Sequence, residues 1–121
     1  MNDELELVRR FHEKFQVPIL AGPTLIAADR SQLRYKLMAD EVKEYLDGVA
    51  ASDLPNIALE LADVLFAVYG TILEHGLQDK MPAVFRAVYD SNMSKTYSPA
   101  KMLKGPEYFK ADTAVKRILE K

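Results

Sequence analysis

The stretch that decides the fold is IALELADVLFAVYGTIL, residues 57–73. Only Glu60 and Asp63 are charged, and apolar side chains would surround a helix of this sequence on every side. Such a helix is either enclosed by protein or exposed to lipid. The run falls short of the roughly 20 apolar residues of a membrane span, and each acid costs several kcal/mol in lipid. Burial in protein is therefore the expectation, with no membrane partner.

A chain of 121 residues with four modest helices has too little material to enclose this helix. The side that the chain leaves open would expose a large apolar surface, which a second copy of the chain can cover. The pattern therefore predicts a homo-oligomer.

Other helices flank the apolar helix, since apolar residues recur at spacings of three and four elsewhere in the chain. Predicted helices begin at Asn2 or Asp3, after Asp29, at Ser52 or Asp53, at Asp79, and at Asp112 as N-cap. No stretch alternates with period two. The fold class is therefore all-α, a four- to five-helix bundle completed by oligomerisation. We expect one domain over residues 1–121, with a core at 29–95 and a loop at 96–111.

The composition excludes several kinds of function. The chain has 16 basic and 18 acidic residues and a net charge of −2, which disfavours binding to a nucleic-acid polymer. It has no cysteine, so disulfides, zinc–thiolate sites and thiol nucleophiles are excluded. The first residues, MNDELELVRR, lack the apolar segment of a signal peptide, and we expect a cytoplasmic protein.

Two pairs of acids share the same spacing. Glu60 and Asp63 stand three apart in the apolar helix, and Glu41 and Glu44 stand three apart in the preceding one. Residues three apart project from a helix within roughly 60° of each other. If the two helices are antiparallel neighbours, all four acids face one another. The first pair alone would be typical of a solvated surface beside Lys43, but the second has apolar surroundings.

Four carboxylates facing one another repel, so either some are protonated or a cation is bound. Carboxylate ligands without histidine or cysteine favour a hard ion, Mg²⁺, with Mn²⁺ as a possible substitute. A di-iron centre would need Glu-x-x-His motifs, and neither His12 nor His75 stands three residues after an acid. The sequence thus predicts a magnesium site formed by Glu41, Glu44, Glu60 and Asp63.

A metal held by carboxylates commonly bridges to phosphate oxygens, which also require donors or positive charge from the protein. The fourth predicted helix ends in DSNMSK and places Asn92 and Lys95 three apart on one face. Lys104 and Tyr108 follow in the loop, where they can contact phosphates and stack on a base. Tyr108 could equally anchor the loop to the core.

The two acid motifs and the downstream Asn-x-x-Lys resemble the all-α nucleoside triphosphate pyrophosphohydrolase superfamily. That superfamily includes MazG, the dimeric dUTPases and phosphoribosyl-ATP pyrophosphohydrolase. The segments LMADEVKEYLDG, ALELADVLFAVYGT and VYDSNMSK are most similar to the MazG-like branch near the dimeric dUTPases, and LKGPEYFKAD resembles the loop that follows. The resemblance spans about residues 29–112 and favours phosphoribosyl-ATP less.

The resemblance implies Mg²⁺-dependent hydrolysis between the α- and β-phosphates of a nucleoside triphosphate, giving a nucleoside monophosphate and pyrophosphate. It also implies a homodimer or a homotetramer. It implies that the four acids bind metal and that Asn92 and Lys95 bind phosphate. One glutamate of the first pair then activates water. We expect Glu41 in this role because it lies on the inward apolar series. Asp40 is an additional acid beside it that could assist, although adjacent residues point about 100° apart on a helix.

The substrate stays open, with dUTP or another non-standard nucleotide as the expectation from the resemblance. A second reading, a non-catalytic helical oligomer with a structural or regulatory cation or nucleotide site, also fits the helical pattern. The presence of all four acids together with Asn92 and Lys95 favours the enzyme.

Overall fold

A computed structural model describes residues 2–121, and over these residues the all-α prediction is confirmed. The helices are α1 (Asp3–Phe15), α2 (Ala28–Ala50), α3 (Leu54–Glu74), α4 (Met81–Met93) and α5 (Asp112–Glu120). Within the described residues no strand occurs, and the β-type pairing seen is an isolated bridge between Thr96 and Leu103. The chain divides into two compact units, Met1–Leu77 and Gln78–Lys121.

The first unit consists of α1, α2 and α3. Asn2 caps α1, with its side chain accepting a hydrogen bond from the backbone of Leu5, and Asp53 caps α3 through the backbone of Asn56. The turn between α2 and α3 is so short that the two long helices are antiparallel neighbours. Helix α3 packs along both α1 and α2, so it is the central helix of this unit.

A small apolar core joins α1 to α3. Leu5, Val8 and Leu73 are buried, and Ile19 and Tyr69 pack against them. The connection from α1 to α2 runs along the end of α3, where Leu20 N donates to Leu73 O at 3.1 Å and Thr24 N donates to His75 O at 2.9 Å. The core therefore fixes one face of α3.

One face of α3 is left uncovered by α1 and α2. Leu54, Leu61 and Leu65 are 73%, 47% and 50% exposed, and they recur along one side of the helix. By length and composition this 21-residue helix could cross a membrane. Glu60 and Asp63 remain the physical objection to lipid, because both belong to a cluster of four carboxylates.

The second unit consists of α4, α5 and the segment between them. Ser91 Oγ donates to Phe109 O at 2.8 Å, and Phe109 N donates to Ser94 Oγ at 3.1 Å. These bonds tie the segment at residues 96–111 to the end of α4. Asp112 is the first helical residue of α5, and the N-cap is Ala111, so the predicted cap is wrong by one position.

Gly76 ends the chain reversal after α3 in a left-handed conformation with φ of +67°. A Cβ there would collide with the backbone of Gly22, including its carbonyl oxygen. We predict that Gly76→Ala lowers the free energy of unfolding by about 2 kcal/mol or more in urea titrations. Gly22→Ala is the matched control, since a Cβ at Gly22 meets nothing within 4 Å. Equal stabilities of the two variants would contradict this explanation.

Candidate functional site

The structure brings the two acid pairs together between α2 and α3. One carboxylate oxygen from each of Glu41, Glu44, Glu60 and Asp63 lies within 4.8 Å of the others. Glu60 is buried, Glu41 and Asp63 are half-buried, and Glu44 is exposed. The cluster therefore has a closed side formed by α3 and an open side at Glu44.

The helices themselves explain this convergence. Each acid pair spans three residues, so both of its members lie on one side of their helix. The antiparallel packing of α2 on α3 turns these two sides toward each other. Asp40, by contrast, accepts a hydrogen bond from Lys36 on the exposed side of α2 at 2.6 Å, and does not join the cluster.

The spacing of the carboxylates fits a divalent cation. Two oxygens on opposite sides of an octahedral Mg²⁺ lie about 4.2 Å apart, close to the span of the four oxygens. Within residues 2–121, Glu41 Oε2 and Glu60 Oε2 are buried and have no hydrogen-bond partner. Buried carboxylate oxygens require a partner, and a cation would satisfy both of them.

The electrostatics of the cluster agree with its geometry. Burial, a hydrogen bond with Glu44 and the neighbouring negative charges raise the pKa of Glu41 to about 7. Burial is also the first cause that raises the pKa of Glu60, followed by its hydrogen bond with Glu44. The protein without metal therefore holds protons in this cluster at a pH where isolated carboxyl groups are ionised.

A cavity of about 420 Å³ opens directly beside the cluster. Its polar lining residues are Glu41, Asp63, Arg30, Arg34 and His12, and the remaining lining residues are apolar, from α1, α2, α3 and the connection after α1. Phe11 and Phe66 meet edge to face at 5.1 Å between ring centroids. The cavity is large enough for a nucleoside-sized molecule placed next to a metal.

The remaining predicted site residues lie in the second unit. Asn92 is in the last turn of α4, and its side chain is exposed. Lys95 lies beyond the C-cap Ser94, so the prediction that Lys95 shares a helical face with Asn92 is wrong. The helix ends early because Ser94 Oγ donates to Ser91 O at 2.6 Å and accepts from the backbone of Phe109.

Lys104 and Tyr108 contact each other in the same unit. The Lys104 ammonium lies 5.4 Å from the centroid of the Tyr108 ring, a cation–π contact between an exposed lysine and a half-buried tyrosine. This contact lies within the segment between α4 and α5. It does not by itself indicate that either residue binds a substrate.

Sequence reasoning missed a buried ion cluster near the far end of the cavity. Glu74, at the end of α3, pairs with Arg30 and Arg34 of α2. Ion pairs between residues about forty positions apart leave no local pattern. The signal available was two arginines four residues apart, seven and eleven residues before Glu41, on the side of α2 that carries that glutamate.

The raised pKa of Glu41 predicts a pH dependence of stability in the absence of divalent ions. The folded protein binds a proton up to about pH 7, whereas the unfolded chain releases it near pH 4.5. Stability should therefore fall as the pH rises through this window. Thermal unfolding in a chelator between pH 5 and 7.5 measures the fall, and Glu41→Gln should flatten it. An equally steep fall in Glu41→Gln would contradict the assignment.

Comparison with known proteins agrees with this geometry. The family model described as phosphoribosyl-ATP pyrophosphohydrolase matches residues 8–92, which include α2, α3 and all four acids. No curated protein matches the chain. The matching model represents the branch that the sequence motifs favoured less, within the superfamily that they indicated. The family's members hydrolyse phosphoanhydride bonds and typically depend on a divalent cation. The chain therefore belongs to the phosphoribosyl-ATP pyrophosphohydrolase family of the MazG-like all-α superfamily and is a nucleotide pyrophosphohydrolase.

Proposed function

We propose that this enzyme hydrolyses a nucleoside triphosphate between its α- and β-phosphates in a Mg²⁺-dependent reaction. The products are a nucleoside monophosphate and pyrophosphate. The observation that carries the proposal is the convergence of Glu41, Glu44, Glu60 and Asp63, with two buried oxygens that have no partner within residues 2–121. Family membership supplies the reaction class that such a cluster would serve.

The proposed metal ligands are these four acids. Their donors are all carboxylate oxygens, which suit Mg²⁺ and, as a substitute, Mn²⁺. When bound, the ion would neutralise negative charge on the phosphate oxygens. The exposed position of Glu44 leaves one side of the cluster accessible to a polyphosphate.

Glu41 is the proposed catalytic base. It belongs to the acid cluster and also lines the cavity, so a water held at their boundary would contact its carboxylate. That carboxylate orients the water for in-line attack on the α-phosphorus and accepts a proton from the water. The bond to the bridging oxygen then breaks, and pyrophosphate leaves with that oxygen.

The nucleoside would occupy the cavity beside the cluster. Its largely apolar lining suits an uncharged, planar base, and Phe11 and Phe66 provide aromatic surface. For the phosphates we retain Asn92 and Lys95 as the proposed contacts, with Lys104 and Tyr108 as further contacts from the segment that follows α4. The expected substrate is dUTP or another non-standard nucleotide. Phosphoribosyl-ATP is the compound in the name of the matching family, so it is tested beside them.

Pyrophosphate release from a panel of nucleotides with Mg²⁺ tests this function. The panel contains the canonical nucleoside triphosphates, dUTP and phosphoribosyl-ATP. We predict that one nucleotide is hydrolysed well above the others. Glu41→Gln and Asp63→Asn should each lower kcat/KM by roughly 100-fold or more, because each removes a carboxylate that the reaction needs.

Asp40→Asn is the matched control for this series. Asp40 is adjacent to Glu41 but pairs with Lys36 on the exposed side of α2. Its variant should keep kcat/KM within about twofold of wild type. Full turnover in folded Glu41→Gln and Asp63→Asn proteins would contradict the site, and a panel with no pyrophosphate release would contradict the function.

The open face of α3 supports our proposal that the enzyme is a homodimer or homotetramer. Exposed leucines recur on this face, and apolar surface of this kind is covered in oligomers. We predict that Leu61→Glu and Leu65→Glu each lower the mass measured by sedimentation equilibrium toward that of one chain. Leu25→Glu is the control, since Leu25 is 94% exposed in the connection before α2. A wild-type protein of single-chain mass would contradict the proposal.

A further inference from the structure

An ion cluster of Arg30, Arg34 and Glu74 lies in the same helix pair as the acids, and its two arginines line the cavity. Glu74 is 1% exposed. Arg30 donates to both of its carboxylate oxygens, through Nε to Oε2 at 3.2 Å and through Nη2 to Oε1. Arg34 Nη1 lies 3.5 Å from Oε1. Two cations of α2 thus hold one anion of α3.

Arg34 also binds α3 directly. Its Nη2 donates to Ala67 O at 2.9 Å, and its Nε donates to Thr71 Oγ1 at 3.1 Å. Space for the guanidinium exists because Gly70 has no side chain. A Cβ at Gly70 would collide with Arg34 Nη2 and lie 2.9 Å from His12 Nε2. The guanidinium therefore fits one position along α3.

The ion cluster and the acid cluster share a single helix register. Arg30 lies eleven residues before Glu41, and Glu74 lies eleven residues after Asp63. Each separation is about 16 Å along the helix axis. In antiparallel helices, equal separations mean that if Arg30 lies opposite Glu74, Glu41 lies opposite Asp63. Glu44 and Glu60 each lie three residues further in the same direction. The register that pairs Arg30 with Glu74 is thus the register that gathers the four acids.

The same register appears at the other end of the helix pair. Gly48 lies seven residues after Glu41, and Asn56 lies seven residues before Asp63. A Cβ on Gly48 would lie 2.9 Å from Asn56 Nδ2, so the helices approach closely there. The acids are therefore flanked by a close contact on one side and by the ion cluster on the other.

Within residues 2–121, the side-chain hydrogen bonds between α2 and α3 outside the acid cluster come from Arg30 and Arg34. The cavity of about 420 Å³ is lined by members of both clusters, Glu41 and Asp63 of the acids and Arg30 and Arg34 of the ion cluster. The four carboxylates repel one another before a cation binds. A slip of one helical turn would shift the facing positions by about 5.4 Å, more than the span of the four oxygens.

We propose that Arg34, held by Glu74, which Arg30 also binds, is a positioning residue that keeps the two acid pairs in register before the cation binds. The inference rests on the proposed metal site. Buried ion pairs are weak sources of stability but can fix register, since a slipped arrangement would leave buried charges unpaired. The ion cluster then acts on metal affinity through the helices, without touching the metal.

Mn²⁺ binding to the full chain, followed by electron paramagnetic resonance, tests the proposal. Glu74→Gln removes the negative charge of the ion cluster. Arg34→Lys keeps the positive charge but removes the guanidinium group that donates to Ala67 and Thr71. Gly70→Ala displaces the guanidinium without changing any charge. We expect the Mn²⁺ Kd to rise about tenfold or more in Glu74→Gln and Gly70→Ala, and by less in Arg34→Lys.

Two controls separate positioning from general stability. Val8→Ala weakens the core between α1 and α3 but leaves the ion cluster intact, and Glu13→Gln removes an exposed ion pair with Arg9. Both should bind Mn²⁺ within twofold of wild type at temperatures where circular dichroism shows them folded. The folded fraction of every variant is measured in the same way.

The outcomes distinguish this inference from the proposed function. Wild-type affinity in Arg34→Lys, Glu74→Gln and Gly70→Ala would overturn the positioning role and leave the metal site intact. A loss in Val8→Ala as large as that in Glu74→Gln would also overturn it. A wild-type protein that does not bind Mn²⁺ would contradict the metal site itself, and the positioning role with it. If only Glu74→Gln fails to fold, the other two variants decide the question.

Discussion

Mutual repulsion among four carboxylates is the constraint on which the rest of this structure depends. Oxygens from Glu41, Glu44, Glu60 and Asp63 lie within 4.8 Å of one another, an arrangement that folding alone does not favour. The chain sustains it by raising the pKa of Glu41 and Glu60, so that protons remain in the cluster. A divalent cation would replace these protons and partner the buried oxygens.

The proposed catalysis depends on the position of the acid cluster beside the cavity. The cluster lies between two long antiparallel helices, and a largely apolar cavity begins where its carboxylates end. A nucleotide can then place its phosphates at the charged cluster and its base in the cavity. Glu41 and Asp63 belong to both regions, and we assign the proton transfer to Glu41 because it comes from the pair to which the resemblance assigns water activation. Phosphoanhydride hydrolysis needs positioning and charge neutralisation more than covalent chemistry, and rigid helices supply both.

Much of this arrangement could be predicted from the sequence, because its signals are local. The three-residue spacing of the acids and the apolar surroundings of Glu60 and Asp63 indicated the cluster, and cap residues such as Asp53 indicated helix ends. Interactions between distant positions left no such signal. The pairing of Arg34 with Glu74 and the early end of α4 before Lys95 depend on tertiary contacts, which no local periodicity reports.

The most direct measurement of the central claim is an anomalous difference map from crystals grown with Mn²⁺. We expect a peak at coordination distance from carboxylate oxygens of both helices, with Glu41 or Glu44 on one side and Glu60 or Asp63 on the other. A map in which Mn²⁺ occupies other surface acids, and the space between α2 and α3 holds no peak, would contradict it.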